Sequence, residues 1–122
     1  MYELAVERDF QATHAVTVDG RPETAHGHVW HVTVVVAGPA VDSEGLLCDF
    51  YVIERQLERV LEPLGGRDLN RTPPFDRMNP TAEMVARHIA GVIGPQLPDR
   101  VTLTSVSVTE APGCTATFRA GN

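Results

Sequence analysis

His26-Gly27-His28 places two imidazoles two positions apart, and in an extended chain that spacing puts both on one face of a strand. His14 has the parity of Phe10, Ala12 and Val16 in an upstream apolar alternation, so a hairpin of the two segments brings a third imidazole beside the pair. Three imidazoles on one sheet face point to zinc. Three nitrogen ligands leave a fourth tetrahedral position for water or substrate, the arrangement of a catalytic rather than a structural site. Iron, cobalt, nickel and copper also suit imidazole, and His-x-His by itself also describes strand histidines bonded to backbone or water. Glu110 ends an alternating stretch in register with Val106 and Val108, which directs a carboxylate toward an apolar face. It reads either as a strand-end residue in water or as a bidentate acceptor for a guanidine-like ligand edge. His31 has the opposite parity to His28, and His88 lies on the edge of a helical stripe; neither is assigned chemistry. Cys48 and Cys114 each stand alone, without the pairing of a zinc ribbon or a disulfide framework.

These residues need elements to position them. From Tyr2 to Val18 the even positions are apolar or His except at Arg8, which predicts a long half-buried strand with a bulge near Glu7-Arg8-Asp9. Asp19-Gly20 and Arg21-Pro22 carry turn chemistry, and the β-branched run from His28 to Val36 predicts a second strand ending at Gly38-Pro39. Phe50, Ile53, Leu57, Val60, Leu61 and Leu64 recur at helical spacing behind a cap at Asp49, predicting a helix over 50–62. Residues 65–78 carry two glycines and two prolines without periodicity and read as a loop. A second helix is expected to open with Asn79 as cap and Pro80 at its first position, burying Val85, Ile89, Val92 and Ile93. Between Leu103 and Val106 the apolar parity of a third strand shifts, which predicts a bulge near Thr104, and Pro112-Gly113 leads into a last strand over 115–119. The order ββααββ gives an α+β fold class: one domain over 1–122, with a four-stranded antiparallel sheet and two helices on one face. So small a sheet has open edges that invite closure by neighbouring subunits.

At 122 residues, 43% hydrophobic and 21% charged, the chain can bury a core without disulfides. Its formal charge of -6 and the lack of any basic cluster exclude the electrostatic footprint of a nucleic-acid binder. No apolar run approaches the roughly 20 residues of a membrane span, and the N-terminus lacks a basic-then-apolar signal, so no membrane partner and a cytoplasmic location are expected.

Phe10-x-Ala-x-His14, His26-Gly27-His28, Asp49-Phe50, Leu69-Asn70, Pro80-Thr81-Ala82-Glu83 and Val108-Thr109-Glu110 occur in an order that resembles the 6-pyruvoyl-tetrahydropterin synthase and 6-carboxy-tetrahydropterin synthase family. The resemblance covers nearly the whole chain. It implies a tunnelling (T-fold) domain, assembled in threes into a barrel and in sixes by stacking, hence a homo-oligomer, trimer or hexamer. It also implies Zn2+ on His14, His26 and His28, a pterin ring gripped by Glu110, and Thr81 and Ala82 at the pterin-side helix start. The substrate it implies is 7,8-dihydroneopterin triphosphate. Two family features are replaced: Pro22 stands where the catalytic cysteine belongs, and Gly65-Gly66-Arg67-Asp68 where an Asp-His pair belongs. Glu23, three residues before His26, resembles the glutamate of a family branch that cleaves the same substrate to 6-hydroxymethyl-dihydropterin, and it is the candidate catalytic acid-base group. Asp68 is a second candidate for the missing relay, and Arg21, Arg67 and Arg119 are candidates to meet a triphosphate. Two readings follow: a zinc-dependent lyase, or a zinc- and pterin-binding homologue that lost the relay. A cupin-like jelly roll also uses His-x-His, but it would not contain two amphipathic helices.

Overall fold

The computed structural model describes residues 1–121. Its frame is a pair of thirteen-residue strands, β1 (Tyr2–His14) and β4 (His26–Gly38), antiparallel and in unbroken register from Tyr2 opposite Gly38 to His14 opposite His26. Between them the chain turns through two short strands, β2 (Thr17–Val18) and β3 (Arg21–Pro22), joined at Asp19-Gly20, where both residues take positive φ. The Asp-Gly sequence meets that requirement at little steric cost. After α1 (Phe50–Leu61) comes β5 (Arg67–Asp68), and after α2 (Ala82–Ile93) come β6 (Thr102–Ala111) and β7 (Cys114–Arg119). The sheet order is β5-β1-β4-β6-β7, with β5 parallel to β1 and the other neighbours antiparallel.

The sheet is therefore mixed and five-stranded, where a four-stranded antiparallel sheet was expected, and the ββααββ order is interrupted by three two-residue strands. Their pairing depends on tertiary placement, which apolar periodicity does not encode. β1 ends at His14, short of Val18. No bulge interrupts it at Arg8, whose guanidinium instead leaves the alternation to pair with Glu54 and Glu58 on α1. The predicted bulge at Thr104 is present, since Ser105 faces Val35 and Leu103 faces Val36.

Val6, Phe10, Trp30, Val32, Val34, Val36, Val106 and Val108 form the sheet side of one apolar core. Against them pack Ile53, Leu57, Val60 and Leu61 of α1 and Val85, Ile89 and Ile93 of α2. Asp49 caps α1 by accepting from Tyr51 N at 2.9 Å, a contact worth about 1 kcal/mol. Phe50, expected in the buried stripe, is exposed, and Val92 is only half-buried. The second helix starts two residues later than expected, with Thr81 as its cap through Met84 N. The loop over 65–78 is pinned to the core by Leu69 and Phe75, both fully buried. Gly38 is required by packing, because a Cβ there would lie 2.4 Å from Leu47 Cδ1 and 2.6 Å from the Arg100 carbonyl oxygen.

On the sheet face away from the helices, His31 is held by two carboxylates of β1. Its Nδ1 lies 2.5 Å from Asp9 Oδ1 and its Nε2 2.5 Å from Glu7 Oε1. The hydrogen bonds to Asp9 and then Glu7 raise its pKa. A raised folded-state pKa contributes stability that is fully present below the unfolded value of about 6.5 and is lost as pH rises through the folded value. The ring is 42% exposed, so screening holds the contribution to at most ~1 kcal/mol. Melting temperature should therefore fall between pH 6 and 9 more steeply in the native chain than in His31→Gln. Parallel slopes would show that the cluster contributes nothing.

Candidate metal centre

Where the helix layer stops covering the sheet, its core face carries polar side chains. His14 and His26 are direct cross-strand partners, and His28 sits opposite Ala12, two residues along on the same face. The ring centroids are 4.8 Å apart for His14 and His26, 5.3 Å for His14 and His28, and 4.3 Å for His26 and His28. Glu110 joins them from β6. Thr109 pairs with Thr115 and Ala111 with Cys114, so Glu110 is the extra residue of a bulge, a device that re-aims a side chain. One ligand atom from each of His14, His26, His28 and Glu110 lies within 4.8 Å of all the others.

The surroundings fix how the imidazoles point. His14 is fully buried at the end of β1, edge-on to Trp30 at 4.7 Å, and its Nδ1 donates to the Pro80 carbonyl oxygen at 2.8 Å. His26 Nδ1 donates to the Thr24 carbonyl oxygen at 3.0 Å. A neutral ring that donates through Nδ1 keeps a lone pair at Nε2, and such backbone acceptors behind ligating histidines orient metal sites generally. Burial first, then the neighbouring His26, lowers the pKa of His28 and favours its neutral, ligating form.

These residues fit a metal ion. The Nε2 atoms of His14 and His28 are buried without a hydrogen-bond partner. His14 Nε2 lies 2.5 Å from Glu110 Oε1, in a contact without hydrogen-bond alignment. An orphaned buried polar atom costs about 1–3 kcal/mol, and two facing acceptors add repulsion. A cation on the histidines would satisfy the orphaned Nε2 atoms and offset the facing carboxylate, and three imidazoles are a donor set that binds first-row divalent ions.

The centre forms the floor of a cleft of about 580 Å³. Val16, Thr17 and Val18 make one wall, held by side-chain amides where the sheet has ended. Asn70 accepts from Ala15 N at 2.7 Å and donates to Ala15 O at 2.9 Å. Asn79 does the same for Thr17, at 2.8 Å in each direction. Asn79 is thus a clamp on the wall and does not cap α2. Thr81 and Ala82, at the start of α2, also line the cleft.

Glu23 lines the cleft but stands apart from the metal cluster, its Oε1 accepting from Val16 N at 3.1 Å and lying 3.6 Å from His26 Nδ1. Asp68 caps the turn at Asn70 N and does not line the cleft, nor do Arg21, Arg67 or Arg119. Cys48 is half-buried, and burial pushes its thiol pKa up. Cys114 is exposed and contributes to the cleft lining. The roles of Pro80 O, Thr24 O and the two asparagines were not read from the sequence, although Leu69-Asn70 was noted as a motif.

A sheet backed by two helices, with a three-histidine and carboxylate cluster at the end of its long hairpin, defines an α+β protein with a cleft whose floor fits a metal ion. The sequence matches the 6-pyruvoyl tetrahydropterin synthase family over residues 3–121, and the chain belongs to that family. Among solved structures it is similar to the 6-pyruvoyl tetrahydropterin synthase of Caenorhabditis elegans, with TM-score 0.82 and 20% identity, covering 99% of this chain and 98% of that one. The Plasmodium falciparum synthase matches with TM-score 0.80 and 19% identity over 98% and 97% of the two chains. A Plasmodium vivax synthase in which a catalytic glutamate is replaced by cysteine matches with TM-score 0.80 and 19% identity over 99% and 98%. These likenesses show the same fold, consistent with a T-fold. No curated protein matches in sequence. Among the described residues no helix is long and apolar enough to cross a membrane.

The buried ligand should matter most. Protein loaded with one divalent ion per chain should lose at least ~100-fold in affinity in His14→Ala and His28→Ala, measured by metal titration, while His88→Ala keeps native affinity. Equal affinities in all three variants would dismantle the site.

Proposed function

We propose that this chain is a zinc-dependent lyase of the pterin-synthase type, acting on 7,8-dihydroneopterin triphosphate or a related pterin. The observation that carries the reading is the convergence of His14, His26, His28 and Glu110 at the floor of a cleft large enough for a bicyclic heterocycle. His14, His26 and His28 would hold the ion. When bound, the metal supplies Lewis acidity that draws electron density from substrate side-chain oxygens.

The chain's own groups do the remaining work. Glu110 accepts the paired N–H groups of the pterin's guanidine-like edge, a charge-assisted contact that fixes ring orientation. Thr81 and Ala82 border the ring from the start of α2. Glu23 takes a proton at the substrate side chain and returns it to the product. Its position on the cleft wall supports this role, as does the catalytic glutamate of the Plasmodium vivax relative. To act, its carboxylate must leave the Val16 amide, a neutral-donor contact worth only about 1 kcal/mol net or somewhat more with a charged acceptor. That same tie favours a second reading, a pterin binder without turnover, because it holds the acid-base group away from the metal.

Self-assembly belongs to the proposal. β7 has a free outer edge, and β5 covers β1 only at Ala12 and Thr13, so both sides of the sheet present unpaired backbone groups. Edge-to-edge pairing into a trimer, and stacking into a hexamer, would satisfy them. Light scattering on the purified protein should return a mass of three or six chains, and a monomer would remove this part.

Zinc-loaded protein incubated with 7,8-dihydroneopterin triphosphate, and separately with 7,8-dihydroneopterin, tests the chemistry by mass spectrometry of the pterins. Hydroxymethyl-dihydropterin should form with the native chain and fall at least ~100-fold in Glu23→Ala and His28→Ala. Bound but unchanged pterin in every sample would establish the binder instead.

A further inference from the structure

Ala15, Val16 and Thr17 carry the chain from the end of β1 into β2, and each has its backbone N–H and C=O engaged by a single partner. Asn70 holds both groups of Ala15, and Asn79 holds both groups of Thr17. Between them, Val16 O accepts from Glu23 N at 2.9 Å and Val16 N donates to Glu23 Oε1 at 3.1 Å. Alternate residues of an extended strand present these groups to opposite edges. The asparagines therefore occupy one edge of the strip and Glu23 the other. All of these bonds lie within one chain.

This strip decides where Glu23 stands. Thr17 pairs with Pro22, so the bond from Glu23 N to Val16 O continues the pairing of β2 with β3 by one residue. A hairpin of two-residue strands has little stability of its own. Its hold on the fold comes through the asparagines. Asn70 follows the fully buried Leu69. Asn79 precedes Pro80, whose carbonyl oxygen accepts from His14 Nδ1 at 2.8 Å, and Thr81, which caps α2. Asn79 is thus fixed directly to the buried histidine of the cleft floor. When the Glu23 carboxylate leaves Val16 N, the Glu23 amide can stay on Val16 O, so the strip sets the pivot about which that carboxylate moves.

We infer that Asn70 and Asn79 are positioning residues for Glu23, acting through the strip from Ala15 to Thr17 to fix its place beside the histidine floor. The inference rests on the acid-base role proposed for Glu23 and names the residues through which the fold controls it. Asn79 lines the cleft and Asn70 does not, yet both hold the strip in the same way. A loss shared by both variants therefore reports on the strip. Proton transfer needs the donor and acceptor within hydrogen-bond reach, and a misplacement of about 1 Å can cost about 100-fold in rate.

Asn70→Ala, Asn79→Ala and Asn79→Asp, each alone and combined with Glu23→Ala, test this in the metal-loaded, assembled protein with 7,8-dihydroneopterin triphosphate. Each alanine variant should lower kcat at least ~10-fold and leave KM within ~3-fold of native. Asn79→Asp keeps the acceptor for Thr17 N and should lose less. In the Glu23→Ala background the same substitutions should cost less than ~2-fold, because the asparagines then have nothing to position. Metal affinity should stay within ~3-fold of native, while amide exchange quickens at Val16 and Glu23 and not at Trp30, which reports an intact sheet. Native kcat in the alanine variants, a loss of kcat without faster exchange at Val16 and Glu23, or an equal loss with Glu23 already removed would each overturn the inference and leave the lyase reading standing. A native chain that makes no product would remove the lyase reading, and this inference with it.

Discussion

The unbroken pairing of β1 with β4 is the constraint on which the site depends. Over thirteen residues any slip by one would send His14 to the opposite sheet face from His26 and His28. The register is held by the apolar residues lower on the same face, with Phe10 stacked on Trp30 at 5.7 Å and Val6 paired with Val34. The hydrophobic core therefore sets the coordinates of the three histidines of the candidate metal centre. It does so through backbone pairing and through Trp30, which packs edge-on against His14 and His28.

The two sheet faces solve different electrostatic problems with the same residue type. On the covered face, His14 is buried with its Nε2 unpartnered, an arrangement that fits an ion. On the other face, His31 lies between Asp9 and Glu7 and needs nothing further. Parity along β4 separates His28, at the candidate metal centre, from His31 between its two carboxylates.

Much of this was legible in the sequence. The parity of His14, His26 and His28 placed the three imidazoles on one face, the shift between Leu103 and Val106 located a bulge, and Asp49 marked a helix start. What escaped has a common physical origin. β5 depends on backbone pairing with Ala12 and Thr13 far upstream, and Asn70 and Asn79 reach across 55 and 62 residues to Ala15 and Thr17, which leaves Thr81 to cap α2. Polar reach of that kind leaves no period in the chain. Glu110 was read correctly as facing inward, but its approach to the histidines arises from a bulge created with β7. Arg8 looked like a break in a strand because apolar alternation has no symbol for a guanidinium paired with helix carboxylates.

Asn70 and Asn79 impersonate a missing neighbouring strand, each giving and taking a hydrogen bond at one residue of the wall. The wall is thereby an attachment, mechanically separable from the sheet that carries the histidines. Its shape can drift with a few loop positions while the ligand geometry stays under the control of the core. The outline of the cleft and the histidine cluster at its floor can then change independently within one small chain.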